Sequence, residues 1–119
     1  MVEVEVEVAQ QPEGFLLVRL AGEIDMSQVA SVRRAFALAS AAGRAAVLID
    51  LCDLRFLAVT GADWVDAAVD ELTDQGRTVA VVCPARGPVW RIVTLLGLDR
   101  RWPVHHDVAR AAAALGRQR

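Results

Sequence analysis

The chain begins with valine and glutamate in alternation from Val2 to Val8, which predicts a strand with one buried and one solvated face. A near-continuous apolar run at residues 15–21 predicts a second strand. Pro12 and Gly14 lie between the two runs and favour a turn, so we expect the two strands to pair as a hairpin.

Apolar residues then recur at the 3.6-residue spacing of a helix in two segments, 27–42 and 61–75. Each segment is followed by a glycine and then by a short apolar run, at residues 45–51 and 78–83. Short continuous apolar runs are typical of strands that are buried on both faces of a parallel sheet. The middle of the chain therefore predicts two helices that alternate with two central strands.

The last part of the chain predicts a helix at residues 89–96, a short strand at 101–105 and an alanine-rich helix at 108–115 that Asp107 caps. The complete order predicts an α/β sandwich. Its mixed β-sheet is expected to be mostly parallel, with an N-terminal antiparallel hairpin and about four helices. We expect a single domain over residues 1–119.

Composition excludes a disordered protein, because 55% of the 119 residues are hydrophobic and only 24% are charged. No apolar run approaches the roughly 18 residues of a membrane span, and the acidic N-terminus is unlike a signal peptide. We therefore expect a cytoplasmic protein without direct membrane insertion. Cys52 and Cys83 are expected to be buried, reduced thiols.

Charge is unevenly distributed, although the formal net charge is only −2. Residues 1–25 hold six acids and one arginine, whereas residues 86–119 hold seven arginines and two acids. A basic segment can mark a nucleic-acid interface. Here the arginines are scattered at helical spacing and the whole chain is slightly acidic, so we predict a partner-facing surface and no nucleic-acid binding.

Residues 50–63 combine a buried strand, a loop and the start of a helix. The loop is expected to expose three apolar side chains, Phe56, Leu57 and Val59. Thr60 and Asp63 fit the capping-box pattern, in which a hydroxyl accepts from a helix N–H and an acid reaches back. Two interpretations stay open: an N-cap alone, or a recognition corner where an added phosphate would meet the positive end of the helix dipole.

Three segments carry a resemblance to a known family: LAGEID at residues 20–25, VLIDLCDLRFL at 47–57 and VWRIVTLLGLD at 89–99. In order and spacing they are similar to the turn, the apolar strand and the helix of STAS domains, which include the anti-sigma factor antagonists of bacteria. The resemblance covers nearly the whole chain and implies the STAS fold.

The junction between loop and helix departs from the family pattern Asp-Ser-Ser/Thr-Gly, which marks members with a phosphorylation switch. The matching residues here are Ala58, Val59, Thr60 and Gly61. Val59 takes the place of the serine that family kinases phosphorylate, and it has no hydroxyl, so ordinary serine phosphorylation is excluded there. Thr60 keeps a hydroxyl and is the remaining candidate for phosphorylation, but a hydroxyl that caps a helix is partly occupied.

The resemblance implies a non-enzymatic regulator that binds an anti-sigma factor and frees a sigma factor. The anti-sigma factor is typically a serine kinase of the histidine-kinase-like ATPase fold. The predicted binding surface consists of Asp25, Phe56, Leu57, Val59, Thr60, Gly61 and Trp64. Without a serine at position 59, we predict that phosphorylation there does not switch the interaction off. The alternative is an accessory or scaffold subunit, bound to the ATPase of an ABC lipid-transport complex or to other STAS proteins in a stress-signalling assembly.

Two of these residues have a second interpretation. Asp25 is either a helix N-cap or, as the resemblance implies, a residue that shapes the partner surface. Trp64 is either an exposed interface anchor or part of the core. Trp90 and Trp102 are expected to pack in the core.

No arrangement of residues predicts catalysis, a cofactor or a metal. The sequence offers no nucleophile with a base, no phosphate-binding loop and no paired acid and base, so we predict no enzyme. His105 and His106 are adjacent in a strand, where side chains point to opposite faces and cannot easily share an ion. An acidic stripe on the second helix is expected to be solvated or to meet a basic partner; it consists of Asp63, Asp66, Asp70 and Asp74.

Overall fold

A computed structural model describes residues 4–43 and 45–117, except for the side chains of Val4, Met26, Val29 and Arg117. Within these residues, the strands are β1 (Val4–Gln10), β2 (Phe15–Ile24), β3 (Ala46–Leu57), β4 (Val79–Val82) and β5 (Val104–His105). The helices are α1 (Val29–Ala41), α2 (Val59–Asp74), α3 (Gly87–Leu95), α4 (Leu98–Arg101) and α5 (Val108–Arg117). A 3-10 turn at Met26–Gln28 precedes α1.

The strands form one sheet in the order β1-β2-β3-β4-β5. β1 and β2 pair antiparallel, from Val4 opposite Gly22 to Gln10 opposite Leu16, and the other pairings are parallel. Helices connect the parallel strands, since strands that run in the same direction need a long crossover. The predicted α/β architecture, with its antiparallel N-terminal hairpin, is therefore confirmed.

The two faces of the sheet are covered unequally. On one face, α1, α2 and α3 contribute fully buried valines to the larger core cluster. On the other face, α5 packs over β3 and β4 through Ala111 and Leu115. Towards β1 this second face becomes polar, and Glu5, Glu7 and Arg19 contact solvent there.

β3 is longer than predicted because two irregularities hide its alternation. Its pairing with β2 shifts register between Arg19 and Ala21 and again between Gly22 and Glu23. At each shift β3 contains one extra residue, as in a β-bulge. Apolar residues that are three positions apart therefore all face the core, namely Leu51, Leu54 and Leu57. For this reason the predicted end of the strand at residue 51 is wrong.

Other boundaries also differ from the prediction. β2 continues beyond residue 21 to Ile24, with Gly22 at a φ of 95° inside the strand. α2 begins at Val59 rather than at residue 61. A short helix, α4, follows Gly97, in a segment whose periodicity predicts none. The predicted cap of the last helix is confirmed, because Asp107 Oδ1 accepts from the third N–H of α5 at 2.8 Å.

Candidate functional site

The carboxyl ends of β2 and β3 meet at the same edge of the sheet, because the two strands are parallel. Their last pairing joins Ile24 with Leu57, and directly beyond it the Ala58 N–H donates to the Ile24 carbonyl at 2.9 Å. The turn after β2 and the start of α2 therefore lie side by side. We name this region the corner; it comprises Asp25 and residues 58–61.

Asp25 caps the 3-10 turn that leads into α1. Its Oδ1 accepts hydrogen bonds from the Ser27 hydroxyl at 2.7 Å and from the Ser27 N–H at 2.8 Å. In return, Gln28 Oε1 accepts from the Asp25 N–H at 2.9 Å, so the two side chains form a reciprocal cap. The bonds from the Ser27 hydroxyl and N–H lower the pKa of the Asp25 carboxyl. Asp25 therefore presents a negative charge at the corner at neutral pH.

Ala58, and not Thr60, is the N-cap of α2. Its backbone is extended, with φ −69° and ψ 156°, and its carbonyl accepts from the Ala62 N–H at 2.9 Å. No side chain caps the first turn of this helix. The predicted capping box of Thr60 and Asp63 is therefore wrong. The helix begins two residues earlier than predicted because the bond to Ile24 fixes the backbone at Ala58.

Gly61 packs the first turn of α2 against the ends of both strands. A Cβ atom at this position would lie 2.7 Å from Ile24 Cγ2 and 3.0 Å from Leu57 Cδ1. These two side chains are 0% and 1% exposed, so neither can retreat without disturbing the core. Gly61 thus sets how closely α2 approaches the Asp25 turn.

The predicted partner residues on β3 and at the start of α2 differ in exposure. Phe56 and Val59 are exposed, at 42% and 50%, whereas Leu57 and Gly61 are buried. The predicted exposure of Leu57 is wrong, because it is the last core residue of β3. Phe56 precedes it in the strand and so points to the opposite face of the sheet.

Trp64 lies one turn further along α2, in a groove of about 580 Å³ between α1 and α2. The buried side chains of Phe36 and Ala68 line this groove. The indole is half-buried, so Trp64 packs against the helices and remains accessible, and its role as an interface anchor stays a prediction. The structure thus brings Asp25, Val59 and Thr60 together at the corner, with Trp64 nearby on α2.

The sequence of residues 7–111 matches the family model of the STAS domain. The chain belongs to the STAS domain family. No curated protein matches it.

The STAS fold of this chain is similar to several solved structures. The crystal structure of an anti-sigma factor antagonist from Mycobacterium paratuberculosis has a TM-score of 0.86 and 26% identity, over 95% of this chain and 94% of that chain. The anti-sigma factor antagonist SpoIIAA in its unphosphorylated form has a TM-score of 0.72 and 16% identity, over 94% and 97%. The Bacillus cell fate determinant SpoIIAA in its phosphorylated form has a TM-score of 0.65 and 20% identity, over 97% and 100%. The predicted family is therefore confirmed.

In this STAS domain, the two residues predicted to stand in the places of the phosphorylated serine and its neighbour open α2. Val59 is the first residue of the helix and is exposed, but it offers only methyl groups to solvent. Thr60 is the second residue; it is partly exposed and does not cap the helix. Its hydroxyl is therefore not occupied in the way that the sequence predicted.

The acidic stripe on α2 is partly neutralised within the domain. Arg101 pairs with Asp66 at 3.1 Å and with Asp70 at 3.3 Å. The Trp102 indole N–H donates to Asp66 Oδ1 at 2.9 Å, and Trp102 is buried, as predicted. The two central aspartates therefore bind the end of α4 and Trp102 to α2. The two outer aspartates, Asp63 and Asp74, stay exposed.

The two thiols are protonated at neutral pH. Burial raises the pKa of Cys83 to about 11, and burial together with the neighbouring Asp50 raises that of Cys52 to about 12. Cys52 is only partly buried, contrary to the prediction. Thiols are weak nucleophiles unless ionised, so neither residue is poised for catalysis.

His106 packs against the core in this structure. His106 Nδ1 lies 3.0 Å from the Cys83 carbonyl, and the ring packs edge-on against Trp90 with centroids 5.1 Å apart. In the part of the chain that the structure describes, no three His, Cys, Asp or Glu side chains are grouped to hold a metal ion. In the same part, no helix has the length and apolar character needed to cross a bilayer.

Proposed function

We propose that this STAS domain is a non-enzymatic regulator that binds an anti-sigma factor at the corner and thereby frees a sigma factor. The observation that carries the proposal is the hydrogen bond from the Ala58 N–H to the Ile24 carbonyl, which joins the turn of the charged Asp25 to the first turn of α2, where Val59 exposes apolar surface. The similar structure from Mycobacterium paratuberculosis is described as an anti-sigma factor antagonist, which favours the same role here.

The expected partner is a serine kinase of the histidine-kinase-like ATPase fold, as the family resemblance implies. Its surface should offer a basic or hydrogen-bond-donating group to Asp25 and an apolar surface to Val59. Trp64 can extend the contact along α2, because half-buried tryptophans often anchor interfaces. Leu57 and Gly61 are buried and do not contact the partner, but they fix the backbone of the corner. Phe56 contacts the partner only where the partner extends to the other face of the sheet.

We further propose that the interaction is not switched off by phosphorylation at position 59. A phosphoserine there would place about −1.5 to −2 charges next to Asp25, which would strongly change the charge that a partner meets. Val59 cannot carry a phosphate, so binding is expected to be constitutive or set by the amount of partner.

The first experiment is a pull-down from the lysate of the native host with the tagged full chain, with and without ATP, read by mass spectrometry. We expect a histidine-kinase-like anti-sigma factor to be retained equally in both conditions. Val59→Asp and Trp64→Ala should weaken its retention. Leu95→Ala is the matched control, because Leu95 is an apolar residue that is 75% exposed on α3, away from the corner. Recovery of an ABC ATPase or of other STAS proteins would replace this proposal by the scaffold function.

A second experiment restores the family pattern at the junction. The double variant Ala58→Asp/Val59→Ser should become phosphorylated and lose the kinase when ATP is added, whereas the wild type should not. Thr60→Val, which removes the remaining hydroxyl of the junction, should behave as the wild type does. If the wild type instead loses its partner with ATP and Thr60→Val abolishes that loss, the switch resides at Thr60 and the proposal is wrong.

A further inference from the structure

β1 forms an edge of the sheet, and no other strand of the described residues pairs with its outer side. It is seven residues long, Val4–Gln10, whereas the opposite edge, β5, has only two, Val104–His105. A long edge strand presents a row of unpaired backbone N–H and C=O groups, to which another strand can be added. The two sides of β1 show which strand would fit.

Alternate residues of β1 give the edge two chemically different faces. Glu5 and Glu7 are exposed on the same face of the sheet as α5, which packs further along the sheet over β3 and β4. Arg19 lies opposite Glu7 in the register, but it donates two hydrogen bonds to Asp53, at 2.7 and 3.0 Å. Neither glutamate forms an ion pair within 4 Å with a residue that the structure describes. This face of the edge therefore remains acidic.

The other face of β1 borders a groove of about 410 Å³ between the strand and α1, in which apolar side chains lie beside two polar ones. The lining residues are Val6, Val8, Ser31, Arg34, Ala35 and Leu38. Leu38 is 56% exposed, although it stands beside buried residues of α1 and the partly buried valines of β1. Apolar side chains from an added strand would cover Leu38 and occupy this groove.

We propose that β1 is a docking edge for an extended segment of a partner protein in which basic residues alternate with apolar ones. Paired with β1, such a segment places its basic side chains next to Glu5 and Glu7 and its apolar side chains in the groove beside Leu38. Arg34 on the groove side disfavours cations there, so a segment that slips by one residue loses both interactions.

A second copy of this chain fits the edge poorly. Pairing β1 with another β1 would bring the glutamates of both strands onto one face, where like charges destabilise the sheet. The same charges that discourage self-association thus select a basic segment. This inference does not depend on the corner, which shares no residue with the edge or the groove.

The test uses the full chain and a fluorescent peptide of alternating arginine and valine, Arg-Val-Arg-Val-Arg-Val-Arg. Two peptides serve as controls: one with glutamate in place of each arginine, and one with the basic sequence but a methyl group on every backbone nitrogen. Fluorescence anisotropy gives the affinities, and hydrogen exchange measured by NMR shows which amides the bound peptide protects. We expect only the unmodified basic peptide to bind and to slow the exchange of β1 amides.

Glu5→Lys is the informative variant, because Glu5 lies opposite Ala21 and not opposite a charged residue. This variant should bind the basic peptide about tenfold more weakly, as expected when a cross-strand charge pair and the contacts of its neighbours are reversed in sign. Asp74→Lys makes the same charge change at the exposed end of α2 and should leave the affinity unchanged. Leu38→Ala should also weaken binding, and because Leu38 is 56% exposed the variant should stay folded.

Three results would overturn the docking edge. Equal losses for Glu5→Lys and Asp74→Lys would show a general attraction between charges. Equal binding of the methylated peptide would show that no strand pairing occurs. Protection of α2 amides, with those of β1 unchanged in the saturated complex, would place the basic peptide on the acidic stripe. None of these outcomes bears on the anti-sigma factor, which is assayed separately with the corner variants.

Discussion

Replacing Gly61 by alanine tests whether the contact of α2 with the strand ends is as tight as the structure shows. The new Cβ would lie 2.7 Å from Ile24 Cγ2 and 3.0 Å from Leu57 Cδ1, so atoms of the core would have to move. Ile24 is β-branched and fully buried, and its methyl group cannot rotate away freely. Overpacking of this kind costs about 1–3 kcal/mol.

A gain from helix propensity opposes this cost. Alanine is about 1 kcal/mol more favourable than glycine inside a helix, and less in the first turn. Gly61 has no positive φ that an alanine would strain. The free energy of unfolding of Gly61→Ala should therefore fall by about 0.5–2 kcal/mol. Gly116→Ala in α5 is the matched control, because a Cβ there meets nothing within 4 Å and only the gain remains.

Urea unfolding followed by circular dichroism measures both variants against the wild type. We expect Gly61→Ala to be less stable than the wild type and Gly116→Ala to be equally or more stable. If Gly61→Ala is as stable as its control, the strand ends yield to the added methyl group at no cost. The close packing would then not be what fixes the corner, and the reasoning would be refuted.

Three further predictions concern stability. Asp66→Ala should lower the free energy of unfolding by about 1–3 kcal/mol, because the buried Trp102 N–H loses its acceptor. Asp70→Ala removes only an exposed ion pair and should change the free energy of unfolding by less than about 1 kcal/mol. Equal losses for the two variants in urea unfolding would contradict this. Ala58→Asp should raise the free energy of unfolding by about 1 kcal/mol, because the new carboxylate would cap α2. An unchanged free energy of unfolding would mean that the carboxylate does not reach the first N–H groups of the helix. Folding raises the pKa of both thiols from about 9 to about 11 and 12, so the native state favours their protonated form. The contribution of the thiols to stability should then be constant below about pH 9 and be lost above it. The chain has no lysine or tyrosine to titrate in this range, so urea midpoints that stay flat from about pH 9 to about pH 10.5 would refute the assignment.

The main elements of the fold could be predicted because their apolar patterns are regular. Alternation in β1 and the continuous apolar runs of β3 and β4 each match one simple period. The end of β3 could not be predicted from periodicity, because two extra residues turn a period of two into a period of three, and only the resemblance of residues 47–57 to the STAS strand reaches it. Leu51, Leu54 and Leu57 then fit neither a strand nor a helix in the sequence, although all three face the core.

Other features depend on contacts between distant segments. Arg77 is only 5% exposed and donates to the carbonyls of Ala39 and Ala45, at 2.7 and 2.8 Å, yet an arginine before an apolar run gives no signal of burial. The capping pattern occurs in the sequence both at Asp25 and at Thr60. Only the first forms a cap, because strand pairing moves the start of α2 to a position that leaves Thr60 inside the helix.

The departures from local rules in this STAS domain are concentrated in the stretch that the proposed function uses. Within residues 51–61, β3 carries two extra residues, α2 begins without a side-chain cap, and a glycine occupies its first turn. The first two features lower stability relative to a regular strand and a capped helix, and such costs tend to gather at functional sites. Val59 adds a further cost in stability, since at 50% exposure it contributes little to the core and presents apolar surface to water. A partner that covers Val59 beside the charge of Asp25 would remove that cost, and this is the physical reason to look for the partner at the corner first.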